Sequence, residues 1–229
     1  MMRILNEKSL NKSRDEITSK SYDVCKKANF PVDIDDVYNH LFGNSNSTTR
    51  FLVNDNNEIV GFGVAEEYNL KVNDIDATLS YLQGMVIEST YQGKGYSTEL
   101  LKNIYKHYNS DLFSLRTQNI KMALSMLNLF KDTLLKMPSK TISKESLNKL
   151  IESLRVLEPF YDIDDKGIIK NCYQNQLYPN LNDLKQIDSS INLEPNDSLA
   201  VIVQPKTSKS KILLPYKQKN NQETEGKTI

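Results

Sequence analysis

Cysteine and histidine are scarce in this chain, with two of each in 229 residues. Cys25 and Cys172 lie far apart and lack the short spacing of a metal-binding pair. His40 and His107 stand alone in the sequence. Neither a zinc site nor a histidine-based nucleophile triad is expected. Two unpaired cysteines fit a reduced, cytoplasmic setting. An excess of one charge is also missing: 29 basic residues balance 29 acidic ones. No whole-molecule field draws in nucleic acid or an anionic membrane, and neither is expected as a partner. No apolar run approaches the roughly 20 residues that span a bilayer. The first residues show no apolar core of a secretory signal, so none is expected. No internal repeat is visible.

What is present suffices for one core. Hydrophobic residues make up 38% and charged residues 25%. The expected partition is a domain over 1–204, with a helical insertion at 137–165, and a polar, disordered tail over 205–229. A docking motif within that tail, at 212–216, is weighed against plain solvation, which composition favours.

Residues 2–5 suit a first strand. A thin apolar stripe (Ile17, Ser21, Val24, Ala28) predicts a helix over 11–28, with Asp15 and Glu16 in its first turn. A second short helix over 33–42 starts at Asp33 as N-cap and turns Val37 and Leu41 to one face. Residues 50–66 read as a hairpin about Asp55, Asn56 and Asn57. Gly61 and Gly63 in its second strand suggest sheet twist or close backbone contact. A turn is expected over 69–76, then a strand over 82–87 and a helix to 109. A strand over 112–118 and a strongly apolar helix over 120–136 follow. A further helix over 143–157 would be capped by Ser143. Strands are expected at 167–173 and, fully buried, at 199–204. Antiparallel strands feeding a strand–helix unit make an α+β, or mixed α/β, domain.

The organising stretch is the apolar run Met85, Val86, Ile87, followed by Gln92, Gly93, Lys94, Gly95, Tyr96, Ser97 and Thr98. It reads as strand, glycine loop and helix N-terminus. The first N–H groups of a helix lack intrahelical partners, and the helix dipole places partial positive charge there. Glycine lets an anion approach the backbone, and Lys94 adds a formal charge. A Walker A loop is excluded because Tyr96 follows Gly95, and a dinucleotide fingerprint because Thr98 stands at the third glycine. On local pattern alone, an unliganded turn and an anion site are equally good readings.

Gln92-x-x-Gly95-x-Ser97 resembles the Q/R-x-x-G-x-G/A motif of the GCN5-related N-acetyltransferases, the GNAT superfamily. Ser97 departs from the usual glycine or alanine but is also small. Tyr91 to Gly95 is similar to the family's Y-R/Q-G-K-G run. Leu115, Arg116, Thr117, Gln118, Asn119 and Ala123 resemble its next strand and helix start. The resemblance is good over about 50–135. It implies a central, mostly antiparallel sheet flanked by helices, with a C-terminal extension. It implies acetyl-CoA as co-substrate, its pyrophosphate on the loop and its pantetheine along the splayed strand at 85–87. Asn119 would cap the next helix or touch the pantetheine. An amine of a small molecule or protein would accept the acetyl group. Family members often dimerise, so a homodimer is a further expectation.

The groups that move protons are less legible. Counting back from Gln92, Tyr81 stands where the histone-acetylating branch carries a glutamate. Glu88 is the nearest acid, and a solvated turn role competes for it. Gln83 or Tyr81 could hold a water relay, and Asp74 and Asp76 are loop acids. The family's thiolate-side tyrosine has no counterpart over 117–137; Met126 holds the counted position. Tyr173 or Tyr178, in a weak "Y…LY" resemblance, could replace it. The alternative function is a GNAT-like module that binds acyl-CoA without turnover. Nucleotide binding ranks last.

Overall fold

The structure is a computed structural model and describes residues 1–72, 74–117, 119–130, 133–137, 144–164, 166–170, 193 and 197–205. The elements, in order, are β1 (Arg3–Leu5), α1 (Glu7–Leu10), α2 (Arg14–Lys27), α3 (Ile34–Phe42), β2 (Ser47–Val53), β3 (Ile59–Val72), β4 (Ile75–Ile87), α4 (Tyr96–Tyr108), β5 (Leu112–Thr117), α5 (Ile120–Leu129), β6 (Thr133–Met137), α6 (Lys144–Leu154), β7 (Ile168–Ile169) and β8 (Ser198–Pro205). Single 3-10 turns lie at Ser89–Tyr91 and Glu158–Phe160.

One mixed sheet organises the domain, in the order β1-β2-β3-β4-β5-β8-β6, with β7 also on β8. Among the described residues, every pairing is antiparallel except β4 with β5. The α+β expectation is met. On one face, α2 and α3 cover β2, β3 and the end of β4 through Ile17, Val24, Val37, Leu41, Phe62 and Val64. On that same face, α6 and Phe160 cover the start of β4. On the other, α4 and α5 cover β4, β5 and β8 through Leu101, Ile104, Ala123 and Met126.

Local chemistry accounts for these elements. Asp33 caps α3 by accepting from the Asp36 N–H at 2.8 Å, and Ser13 caps α2 by accepting from Glu16. Asn57 takes the left-handed backbone at the β2–β3 turn, with φ 62°. Gly61 and Gly63 serve close contact: a Cβ on Gly61 would meet the Val86 oxygen at 3.0 Å, and one on Gly63 would meet Ile104 at 3.1 Å.

Three expectations are corrected. The turn expected over 69–76 is much shorter, because β3 continues to Val72 and β4 starts at Ile75. Leu70 and Val72 are buried while Asn69 and Lys71 face solvent, the alternation of a half-buried strand. The helix expected to reach residue 136 ends at Leu129, and Thr133–Met137 pairs with β8 instead. A short apolar-rich stretch does not distinguish a helix from a strand, and the free edge of β8 decides it. The helix expected from residue 11 begins at Arg14, with the separate short α1 before it. In the segment expected as an insertion, α6 packs Leu150, Ile151 and Leu154 into the core. Ser143, Cys172, Tyr173, Tyr178 and the tail beyond residue 205 lie outside the described residues.

Candidate active site

The site is built where β4 and β5 part. Their parallel pairing runs from Leu79↔Leu112 to Leu82↔Leu115 and stops there. At the same point β4 carries a bulge against β3: Val64 pairs with Gly84 and Ala65 with Leu82, leaving Gln83 as the extra residue. A bulge bends its strand and sharpens its twist, which turns β4 away from β5. Beyond Leu82, β4 keeps β3 as its partner, and β5 keeps β8 through Arg116 and Thr117. A gap therefore opens between residues 83–87 and the end of β5.

The orientation of backbone groups at that gap follows from one bond. Glu88 N–H donates to the Val60 oxygen at 2.9 Å, toward β3. Antiparallel partners alternate every second residue, so Val86 also points to β3, while Met85 and Ile87 point their N–H and C=O into the gap. Met85, Val86 and Ile87, the residues expected on a splayed strand, border this gap.

The strand leads into the glycine loop. Gly93 and Gly95 have φ of 74° and 85°, the left-handed region that glycine enters freely. Nothing lies within 4 Å of where a Cβ on either would stand. Gly95 is the N-cap of α4 and offers no side-chain cap. The backbone N–H groups of Gly93, Lys94, Gly95, Tyr96 and Ser97 find no acceptor among the described residues; Thr98 and Glu99 N–H return to the Gly95 oxygen. Gln92 Nε2 donates to the Ile87 oxygen at 2.7 Å and ties the loop to the strand end. Lys94 Nζ lies 5.4 Å from the centre of the Tyr91 ring at the exposed rim. Unpartnered donors, open space and the positive end of a helix dipole together fit a diphosphate.

The face covered by α2, α3 and α6 supplies polar groups around the gap. Glu66, on β3 opposite Tyr81, is buried and accepts from Asn44 Nδ2 and the Tyr68 hydroxyl. Burial, then the bond to Glu66, pushes the Tyr68 hydroxyl well above the ordinary tyrosine range. His40 of α3 leans over Gly84: Nε2 lies 2.7 Å from where a Cβ on residue 84 would stand. Burial holds the His40 imidazole below the ordinary histidine range, Glu66 opposing and Arg116 reinforcing the shift.

The other sequence candidates are arranged differently. Tyr81 is 2% exposed, with its ring 5.2 Å from that of Phe160, so it is a core residue. Gln83 is the bulge residue. Glu88 pairs with Lys27 at 3.1 Å and accepts from the Thr90 hydroxyl, beyond the loop end of the gap. Asn119 caps α5, accepting from Lys121 N–H at 2.9 Å. Asp74, between β3 and β4, and Asp76, at the start of β4, are exposed and remote in the strand register from the gap. Sequence reading missed Glu66 and His40. Glu66 carried one signal, an acid at an inward position of an apolar strand; His40 carried none, since only the fold brings α3 to Gly84.

Residues 15–122, which contain the gap, the loop and α4, match the family model described as acetyltransferase (GNAT) family. This segment is a GNAT acetyltransferase domain. Acyl transfer is the general chemistry of GNAT members, and N-acetyl transfer their general activity. Among solved structures, a GNAT-family acetyltransferase from Staphylococcus aureus Mu50 is 17% identical, covering 90% of this chain and 100% of that one, with a TM-score of 0.41. NAA60 from Arabidopsis thaliana, solved with a bisubstrate analogue, is 13% identical over 89% and 98%, with a TM-score of 0.43. The glucosamine N-acetyltransferase region of a fungal multi-domain GH3 β-N-acetylglucosaminidase is 19% identical over 50% of this chain, with a TM-score of 0.39, and the match spans 13% of that chain. No curated protein sequence matches. Among the described residues, no helix is long and apolar enough to cross a membrane, and no group of three or more metal-ligating side chains is assembled.

Proposed function

We propose that this GNAT chain transfers the acetyl group of acetyl-CoA to the amine of a small molecule or protein. The observation that carries the reading is the gap after Leu82 continuing into the glycine loop. The loop N–H groups would hold the pyrophosphate. The inward N–H and C=O groups of Met85 and Ile87 would bind the pantetheine amides as a neighbouring strand would, with Ile87 C=O shared with Gln92. The Met85 N–H, nearest the bulge, would polarise the thioester carbonyl and hold the oxyanion.

The acceptor sets the remaining demand. A lysine-like ammonium ordinarily titrates near pH 10.4, so it exposes its lone pair in roughly one molecule in 2,500 at pH 7. Freeing it costs about 4.6 kcal/mol, against about 1 to 1.5 kcal/mol for an α-amine that titrates near pH 8. The site must lower that cost with a base or by desolvation.

The test is release of CoA thiol from acetyl-CoA, followed with a thiol reagent. The acceptors are a peptide with a free α-amine, a lysine-bearing peptide and spermidine. Acceptor-dependent release with at least one of them is expected. Binding of acetyl-CoA without release from any would overturn the transferase reading in favour of a non-catalytic acyl-CoA module.

A further inference from the structure

The proposed reaction needs a group to take the acceptor's proton, and none of the three sequence candidates is placed for it. Tyr81 is sealed against Phe160, Glu88 is engaged by Lys27 and Thr90, and Gln83 does not titrate in water. We propose that His40 is the catalytic base of the acetyl transfer, receiving the acceptor's proton at the bulged end of the gap. This rests on the acetyltransferase reading and adds the residue that reading lacks.

The ring lies directly over Gly84, the first residue past the bulge, and Met85, whose N–H enters the gap, is the next residue. Neighbouring strand residues are about 3.3 Å apart, so ring and oxyanion donor fall within reach of one reacting centre. Gly84 is what admits the ring, since a Cβ there would meet Nε2 at 2.7 Å. His40 is partly exposed, and neither ring nitrogen has a hydrogen-bond partner among the described residues. Glu66, by contrast, is 3% exposed and holds two donors. The charged groups acting on the ring are Glu66 from β3 and Arg116 from β5, while β4 presents Gly84. Burial dominates and keeps the imidazole neutral near pH 7, the form that accepts a proton.

An ammonium proton of the acceptor passes to His40, and the freed lone pair attacks the thioester carbonyl carbon. The C–N bond forms and the C–S bond breaks. A second nitrogen proton goes to the departing thiolate, and His40 returns its own to solvent. The products are an N-acetyl amide, CoA thiol and one proton.

His40→Gln tests this on the full chain, with the best acceptor of the three above. Acetyl-CoA affinity is expected within about twofold of wild type and turnover at least about a hundredfold lower. The pH profile carries the distinction from a structural role. Wild-type kcat/KM is flat through neutral pH and falls on the acid side as His40 protonates. The variant's rises about tenfold per pH unit up to the pKa of the amine, because only free amine can then react. Gly84→Ala, which displaces the ring while leaving it in the chain, should show the same rising profile. His40→Gln turning over within about threefold of wild type, with an unchanged profile, would overturn the assignment and leave the transferase reading standing. Wild-type protein that neither binds nor consumes acetyl-CoA would overturn both.

Discussion

The side-chain amide of Gln92 donates to the carbonyl oxygen of Ile87 at 2.7 Å, closing the glycine loop onto the end of the strand that borders the gap. Both ends of a bound diphosphate–pantetheine chain would depend on that clasp: the loop for its N–H groups, the strand for its alignment. Gln92→Ala removes one hydrogen bond, worth about 0.5 to 1.5 kcal/mol. Calorimetry should show acetyl-CoA binding weakened about threefold to tenfold, with the melting temperature little changed because Gln92 is exposed.

Gly95 gives a sharper test of the loop. Its φ of 85° and the open space around it are the conditions an anion needs. Gly95→Asp would put a carboxylate among the N–H groups assigned to the pyrophosphate and is expected to weaken acetyl-CoA binding more than about a hundredfold. Gly95→Asn carries the same shape without the charge, and asparagine tolerates left-handed backbone about as well. It should bind clearly better than the aspartate variant. Equal losses in the two would mean that strain, and not charge, matters at this position.

Glu88 has a different task. Its side chain is 12% exposed and pairs with Lys27, whose side chain is 61% exposed. Glu88→Gln is expected to cost less than about tenfold in turnover. A half-exposed pair is screened by solvent, so the stability loss should stay within about 1 kcal/mol in urea denaturation. A fall in turnover of about a thousandfold would return Glu88 to the role of base.

His40 also links stability to pH. Its folded pKa lies below the ordinary value of 6.5, so the unfolded chain binds more protons in the window just below 6.5. Stability therefore rises with pH through that window and falls as the solution is acidified from about pH 6.5. In thermal melts between about pH 7 and pH 5, wild type should lose more stability than His40→Gln. Parallel curves for the two would contradict an imidazole that partial burial keeps neutral.

The glycine-loop half of this candidate site was legible because it is written in consecutive residues. A β run, two glycines and a helix start are local features, and Gln92 with Gly95 fix their register. Asp33 and Asn57 were readable for the same reason: capping and left-handed turns depend on one side chain and its immediate backbone. The gap itself was implied by resemblance, and the bulge at Gln83 that produces it leaves no mark in the sequence. Thr133–Met137 was misread because pairing with β8 depends on residues far along the chain, as in Met137↔Ile202. His40 stayed hidden because its meaning depends on Gly84, and only packing of α3 against β4 joins them.

The most direct measurement of the central claim is a thermal-shift titration with acetyl-CoA, with ATP and NAD as controls. At about a hundred times the dissociation constant, binding adds about 2.7 kcal/mol to stability. For a chain of this size that raises the melting temperature by roughly 5 to 11 °C. The account predicts such a shift with acetyl-CoA, none of that size with ATP or NAD, and its loss in Gly95→Asp. A folded protein whose melting temperature does not respond to acetyl-CoA would contradict it.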